Sequence, residues 1–320
     1  MYSFSKAKLT QDMAQAIISA HFGPLRRLKT YQELEEGLYN AAALLELDDD
    51  LKYVLKVAPS DDVRVLRYEH NIMQAEVGAM RLVRAQTQAP VAEIYAYDTS
   101  RQLLNNDYFL MEFLPGVPLH KLRKDLPSEA QTSIDQSIGR LAREISSING
   151  DCFGYFAQPA APGVSWRDVF AAMLKGILKD GEEIEVKLPL PYASLFQCLE
   201  AHFGALNEVK TPKLVHWDLW DGNIFIDPAS TQISGVIDFE RVLWGDPLIE
   251  VIFCDTNPQS NFSRGFGQDV LTSETQVRRR LLYNAYLYLI MIIECYYRRY
   301  TDGWQENWAR EQLDTTLKAF

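Results

Sequence analysis

Leu114-Pro115-Gly116 most restricts what this chain can fold into, because the residues before it and after it follow different periodicities. Proline followed by glycine ends regular structure and marks a boundary. Ahead of it, two β-rich runs, Ala41 to Leu47 and Lys52 to Ala58, flank Asp48-Asp49-Asp50, which predicts a hairpin with acidic residues in its turn. Asp61 to Ala85 spaces Val65, Ile72, Met73, Val77, Met80, Leu82 and Val83 as a helix does. Pro90 to Tyr97 and Tyr108 to Phe113 read as strands separated by the polar turn Asn105-Asn106-Asp107. The stretch up to about Thr30 reads as an amphipathic helix with a link through Gly23-Pro24. The order is strand, strand, strand, helix, strand, strand, so a small antiparallel sheet carrying one helix is expected.

Beyond the break helical spacing dominates, over Ala130 to Ile148, Trp166 to Lys179, Leu190 to Leu206 and Glu274 to Tyr300. Gly150 to Gly163, with Pro159 and Pro162, reads as a loop, and Leu214 to Phe239 is the one β-like island. At 320 residues the chain is long enough for two domains, and 47% hydrophobic against 23% charged residues argues for a folded protein over a disordered one. A net charge of −11 without a lysine/arginine stripe argues against DNA or RNA as a partner. Cys152, Cys198, Cys254 and Cys295 lie far apart with no C-x-x-C pair, which fits buried thiols in a reducing compartment. The N-terminal MYSFSKAKLTQDMAQAII lacks the apolar core of a secretory signal, and the most apolar helical run, Leu281 to Ile293, is too short to cross a bilayer. A cytoplasmic protein without membrane contact is expected.

Within the island, Asn223 to Ile226 and Ile233 to Ile237 surround the turn Asp227-Pro228. His216 and Asp218 precede the first segment, Asn223 begins it, and Asp238 follows the second. A tight hairpin brings its two ends together, so Asp218, Asn223 and Asp238 are expected at one mouth. Carboxylate and amide oxygens are hard ligands suited to Mg²⁺, and a further carboxylate can accept the proton of an attacking hydroxyl. Phosphoryl transfer needs little beyond positioning and charge neutralisation. The pattern points to Asp218 as base with Asn223 and Asp238 holding the metal. Asp221 and Asp227 sit in obvious turns and are expected to cap them.

His216-x-Asp218-x-x-x-x-Asn223, followed by Ile237-Asp238-Phe239, resembles the catalytic and metal-binding loops of the protein-kinase-like superfamily. More narrowly, HWDLWDGNIF, VIDFE and Gly245-Asp246-Pro247 resemble the aminoglycoside phosphotransferase and choline kinase branch, and the likeness runs from about Tyr31 to about Asp255. The resemblance implies an α+β, two-lobed protein-kinase-like fold. Its N-terminal lobe, residues 1–111, would hold a five-stranded antiparallel sheet and a helix; a hinge at 112–117 would lead into a larger, mainly helical lobe at 118–320. It implies Asp218 as catalytic base, Asn223 and Asp238 as Mg²⁺ ligands, His216 as a brace and Asp246 as a scaffold residue. Lys56, whose burial the strand pattern leaves open, takes the place of the lysine that contacts the α/β-phosphates. Its carboxylate partner on the following helix is Glu76 or Glu69, with Glu76 preferred for its distance to the strand at Pro90. The glycine-rich loop departs from G-x-G-x-x-G. Here Glu36-Gly-Leu-Tyr-Asn-Ala-Ala42 keeps Gly37 for the turn, Asn40 as a donor, and Ala41 and Ala42 for close backbone approach to phosphate. Met111, Glu112, Phe113 and Leu114 fall where the family reads the adenine edge with backbone groups.

Trp217 stands where protein kinases carry an arginine, and Gly245-Asp246-Pro247 follows Asp238 too soon for an activation segment. With the helical insert from about Gly150 to Leu206, this points to a small-molecule kinase. The implied reaction is Mg²⁺-dependent transfer of the γ-phosphoryl group of ATP, or GTP, to a small-molecule hydroxyl, foremost an aminoglycoside-type antibiotic or related metabolite. Asp180, Glu182, Glu183, Glu185, Asp221 and Glu240 would suit a polycation. Trp217 and Trp220 would suit a sugar or the quaternary ammonium of choline, and Trp217 suits the core equally. Choline, homoserine and macrolide kinases stay open, as do an inactive nucleotide-binding protein on the same fold and the choice of monomer or homodimer. Tyr283, Tyr286, Tyr288, Tyr296 and Tyr297 read as core packing ahead of a partner surface.

Overall fold

The computed structural model describes residues 7–34, 39–267 and 269–320. Helix α1 (Gln11–Phe22) is capped by Thr10, whose Oγ1 accepts the Met13 N–H at 3.3 Å. Strands β1 (Leu28–Leu34), β2 (Ala41–Leu47), β3 (Lys52–Val57), β4 (Ile94–Asp98) and β5 (Tyr108–Glu112) form one antiparallel sheet in the order β1-β2-β3-β5-β4. The acidic turn between β2 and β3 is there: Asp50 takes a left-handed φ of 65°, and the Leu51 N–H donates to Asp49 Oδ1 at 3.3 Å. Arg26 and Lys29 sit against these acids, offsetting their mutual repulsion.

An antiparallel sheet commonly leaves one face to water, but here both faces of β3 are covered. Tyr53, Leu55 and Val57 share a cluster with Ala14, Ile17 and Ile18 of α1. Val54, with Phe109 and Met111 of β5, joins the main core through Met73, Val77 and Met80 of helix α2 (Ile72–Gln86). Lys56 lies on the Val54 side by strand alternation.

Helix α2 begins well after the expected Asp61, behind Asn71 in a left-handed conformation with φ 63°. The backbone before it finds partners other than helical carbonyls. The Leu66 N–H donates to Glu69 Oε2 at 2.9 Å, and the Arg67 N–H donates to Asp180 Oδ2 at 3.0 Å. Strand β4 likewise starts later than Pro90. Proline has no N–H for a ladder; its carbonyl instead accepts the Val236 N–H at 3.0 Å, and Val91 bridges to Val236.

After β5 the chain turns at Gly116, where φ is +116° and an added Cβ would stand 2.3 Å from Ser234 Oγ and 2.8 Å from the Ile226 carbonyl oxygen. Glycine alone fits both the conformation and the space. There follow β6 (Val117–Pro118), α3 (Leu119–Leu122), α4 (Ser128–Ile145), β7 (Gly154–Tyr155), β8 (Gln158–Pro159), α5 (Trp166–Glu183) and α6 (Tyr192–Glu200). The rest comprises β9 (Lys213–Val215), β10 (Ile224–Ile226), β11 (Ile233–Val236), β12 (Leu243–Gly245), α7 (Asn261–Phe266), α8 (Glu274–Tyr297) and α9 (Trp304–Lys318). The expected long helices are therefore present, although Phe203–Glu208 is a tighter 3-10 turn rather than a continuation of α6. The island forms the β10–β11 hairpin, joined by β6, while β8-β7-β12-β9 make a further sheet. Tyr283, Tyr286 and Tyr288 of α8 are buried in the core as expected, whereas Tyr297 is half-buried and Tyr296 is exposed at the helix end. Among the described residues no helix is long and apolar enough to cross a membrane.

Candidate active site

Strand β9 leads into His216-Trp217-Asp218, and the chain returns through β10. Trp217 holds a left-handed φ of 65°, a conformation that costs a bulky residue about 1–3 kcal/mol and persists only where the surroundings impose it. Glu250 does so. Its carboxylate accepts the N–H of Trp217 at 2.8 Å and that of Leu219 at 3.0 Å, one on each side of Asp218. The Trp217 ring is fully buried and lies parallel on Tyr286, with centroids 5.7 Å apart, so it packs the core. The His216 Nδ1 accepts the Asp218 N–H at 3.2 Å, which leaves its Nε2–H to donate to the Ile237 carbonyl at 3.0 Å. Burial lowers this imidazole to about 4, so it is neutral and ties the loop at Asp218 to the residue before Asp238.

The Asn223 Nδ2 donates to Asp218 Oδ2 at 2.8 Å and to the Asp218 carbonyl at 2.9 Å. Across the hairpin mouth, the Ile237 N–H donates to the Asn223 carbonyl at 3.1 Å. Asp218, Asn223 and Asp238 thus meet where the hairpin argument placed them. Burial pushes the Asp218 carboxyl up to about 7, opposed by Arg241 and assisted by Asp238 and Glu250. A carboxylate poised near neutrality suits proton acceptance.

Lys56 reaches this mouth from β3, its Nζ donating to Glu76 Oε1 at 2.6 Å and to Asp238 Oδ1 at 2.9 Å. Of the two carboxylates considered for it, Glu76 is the partner; Glu69 pairs with Arg298 and receives the Leu66 N–H. Burial by itself would lower the Lys56 ammonium, yet Asp238 and Glu76 hold it well above its ordinary value. Burial also acts on Asp238, but Lys56 outweighs it and keeps that carboxyl low, while burial wins at Glu76 and raises it.

Glu240 completes the cluster: oxygens of Glu76, Asp238 and Glu240 lie within 4.8 Å of one another. Burial, reinforced by Asp238, raises Glu240 well above a normal carboxyl. Two further buried acceptors, Glu76 Oε2 and Asn40 Oδ1, have no partner. Such a surplus of hard oxygen acceptors fits what a divalent cation such as Mg²⁺ requires of its ligands.

The other expected contacts fare unevenly. Gly37, with Glu36 and Leu38, lies outside the described residues. Asn40 is buried and turns its amide onto Glu240 Oε2 at 3.3 Å, so in this arrangement its donor is not offered to a phosphate. Met111 buries its side chain in the core. The N–H groups of Glu112 and Phe113 are engaged by the carbonyls of Glu93, at 2.8 Å, and Lys52, at 3.4 Å; Leu114 packs over Gly235.

The acids expected to line a cleft are mostly paired. Asp221 binds Arg123 rather than merely capping its turn, Asp180 and Glu183 bind Arg67, and Glu182 and Glu185 are exposed. Asp227 does cap its turn, accepting the Ala229 N–H at 2.9 Å. Asp246 anchors its loop by accepting Arg279 Nε and the Tyr283 hydroxyl, each at 2.8 Å. Trp220 is 51% exposed and stacks on His120.

Sequence reasoning missed Glu250 and Arg241 and gave Glu240 only to a cleft wall. Arg241 pairs with Glu294 at 3.0 Å from the residue next to Glu240. The available signal was adjacency to motifs: Glu240 and Arg241 follow Asp238-Phe239, and Glu250 follows Gly245-Asp246-Pro247. Because Glu250 restrains a strained loop on both sides of Asp218, Glu250→Gln is expected to lower kcat on the order of 10- to 100-fold through misplacement. Steady-state kinetics beside nucleotide titration checks this, and an unchanged kcat would remove Glu250 from the positioning apparatus.

Strand β3 and helix α2 thus present the Lys56–Glu76 pair to a loop carrying Asp218, Asn223 and Asp238, an arrangement of the protein-kinase-like kind. The pattern of the phosphotransferase enzyme family matches residues 30–281. The chain belongs to that family, whose chemistry is transfer to alcohol groups. Among solved structures it is similar to a thermostable mutant of the aminoglycoside phosphotransferase APH(4)-Ia in ternary complex with AMP-PNP and hygromycin B, at 18% identity, 95% and 98% coverage of the two chains and a TM-score of 0.65. It is also similar to APH(2")-IIia in complex with GDP and kanamycin, at 19% identity, 96% and 98% coverage and a TM-score of 0.65. At these identities the likeness is one of fold. In sequence it is 20% identical over 204 residues to the Arabidopsis thaliana protein named "Probable acyl-CoA dehydrogenase IBR3". That match covers 63% of this chain and spans about a quarter, 24%, of the relative's length.

Proposed function

We propose that this protein transfers the γ-phosphoryl group of ATP to a hydroxyl of a small molecule, with residues 112–117 as hinge between a nucleotide lobe (1–111) and a catalytic lobe (118–320). The observation that carries this reading is the convergence of Asp218, held by Asn223 at 2.8 Å, with Lys56 bridging Glu76 and Asp238 at 2.6 and 2.9 Å. In this reading Asp218 takes the proton of the attacking hydroxyl as the oxygen–phosphorus bond forms and the bond to ADP breaks. Lys56, fixed by two carboxylates, orients the α/β-phosphates. Asp238 and Asn223 would hold the cation; the Asn223 nitrogen is already engaged by Asp218, so its amide oxygen would be the atom offered to the metal. When bound, Mg²⁺ neutralises charge on the phosphate oxygens. His216 and Glu250 keep Asp218 in place without touching substrate.

A coupled ADP-release screen across aminoglycosides, macrolides, choline, homoserine and simple alcohols, with ATP and GTP in parallel, tests the reading. Mg²⁺-dependent release with at least one acceptor is expected, and EDTA is expected to abolish it. Tight nucleotide binding with no release for any acceptor would instead favour an inactive nucleotide-binding protein.

A further inference from the structure

We infer that the acceptor carries its hydroxyl on an uncharged, apolar body, and that this body lies in a 370 Å³ cavity between α5, the β7–β8 hairpin and the loop before α2. The inference rests on the phosphoryl-transfer reading and narrows its substrate class. The volume lies in the range of about 300–1,000 Å³ usual for small-molecule sites. Its walls are apolar and aromatic, with Tyr68, Tyr155, Tyr286, Val169, Met173 and Ile177 prominent.

The one buried acid of the wall is already paired. The Asp180 carboxylate, 2% exposed, is taken up by the Arg67 guanidinium and, at 3.0 Å, by the Arg67 N–H. Asp168 is exposed at the mouth, where it accepts the Ser165 hydroxyl at 2.7 Å as part of the α5 cap. A polycation entering past this mouth would find the buried Asp180 already engaged, and it would lose its hydration to aromatic rings.

The wall of the cavity backs onto Trp217, the neighbour of Asp218 in the chain. Tyr68, Tyr155 and Tyr286 all bear on the Trp217 ring, with centroids 6.3, 6.3 and 5.7 Å away. Small residues on α5 make the room. A Cβ added at Gly176 would meet nothing within 4 Å, and Ala172 lines the cavity one turn earlier. Glycine inside a helix weakens it, so the missing side chain at 176 is a cost that the space explains.

The test uses straight-chain primary alcohols from butan-1-ol to decan-1-ol as acceptors, with kanamycin as the polycationic comparison. In the wild type kcat/KM from ADP release should rise about three- to fourfold per added methylene until the cavity is full. Gly176→Leu, whose Cβ enters open space, should flatten that series while ATP affinity is retained; Ala172→Leu should act in the same direction should the first variant fail to fold. Calorimetric titration of octan-1-ol into Asp218→Asn and into Gly176→Leu separates binding from turnover, with binding expected in the first and lost in the second. A flat series, octan-1-ol affinity unaffected by Gly176→Leu, or kanamycin turned over ahead of every alkanol would overturn the inference. Octan-1-ol binding that depends on Gly176, without ADP release from any acceptor, would instead sink the phosphoryl-transfer reading and leave an apolar ligand site.

Discussion

Asp218→Asn is expected to reduce kcat by roughly 10²–10⁴-fold, the usual contribution of a positioned general base, with nucleotide affinity nearly intact. The substitution is close to isosteric, and an amide oxygen at 218 can still accept the Asn223 Nδ2–H that now lies 2.8 Å from Asp218 Oδ2. What disappears is the ability to take a proton. In the wild type Asp218 must be ionised to act, and burial pushes its carboxyl up to about 7. The rate should therefore rise with pH through about 7 and level off above it, and the variant's residual rate should lack that limb. Steady-state kinetics on an active acceptor across this range decides the matter. A variant with wild-type kcat would mean that the base is a different group.

Lys56→Met is expected to damage fold and function together. Removing the ammonium leaves Glu76, Asp238 and Glu240 crowded within 4.8 Å with no cation among them. Breaking a buried pair by deleting one partner typically costs about 3–5 kcal/mol, which urea unfolding would register. The loss should depend on pH in a defined sense. Burial already raises Glu76 and Glu240 above their ordinary 4.5 even beside Lys56, and without the lysine they rise further. The folded variant keeps protons that the unfolded chain releases at about 4.5, so its stability is greatest below that pH and falls as pH rises through the folded values. ATP affinity should fall with the lost phosphate contact. Equal unfolding midpoints for variant and wild type at pH 8 would contradict this account.

Much of this architecture is written in period and punctuation. The β-rich runs Ala41 to Leu47 and Lys52 to Ala58, the acidic turn between them and the helical spacing after Ile72 are local signals, and the structure follows them. The hairpin of the island brings Asp218, Asn223 and Asp238 together for the same reason: Asp227-Pro228 can only be a turn, so its flanks must meet. Where the reading overran, the backbone had non-local partners. Residues 61–71 carry apolar spacing, yet two of their N–H groups are claimed by Glu69 and by Asp180 on α5. Strands of two or three residues such as β6 and β9 are too short to alternate. Helices α7 and α9 were not expected at all; α9 packs along α8. Pairings such as Arg123 with Asp221 or Arg67 with Asp180 join residues about a hundred positions apart, and no local pattern carries them. The same holds for Glu250, whose role exists only once the strained loop at Trp217 is in view.

Helix α1 makes no contact with the reaction centre, but the layer it forms with Tyr53, Leu55 and Val57 gives it authority over the lysine. With apolar neighbours on both faces, β3 has no tolerant side. A slip of one residue would exchange faces, sending Lys56 into the α1 layer and Leu55 or Val57 to the carboxylates. On an uncovered sheet such a slip would expose the lysine to water at modest cost. Beneath α1 it would strand a charge in hydrocarbon and leave three acids unanswered. The helix works as a proofreader of strand alignment, and the address of the phosphate-binding charge is kept from the far side of the sheet.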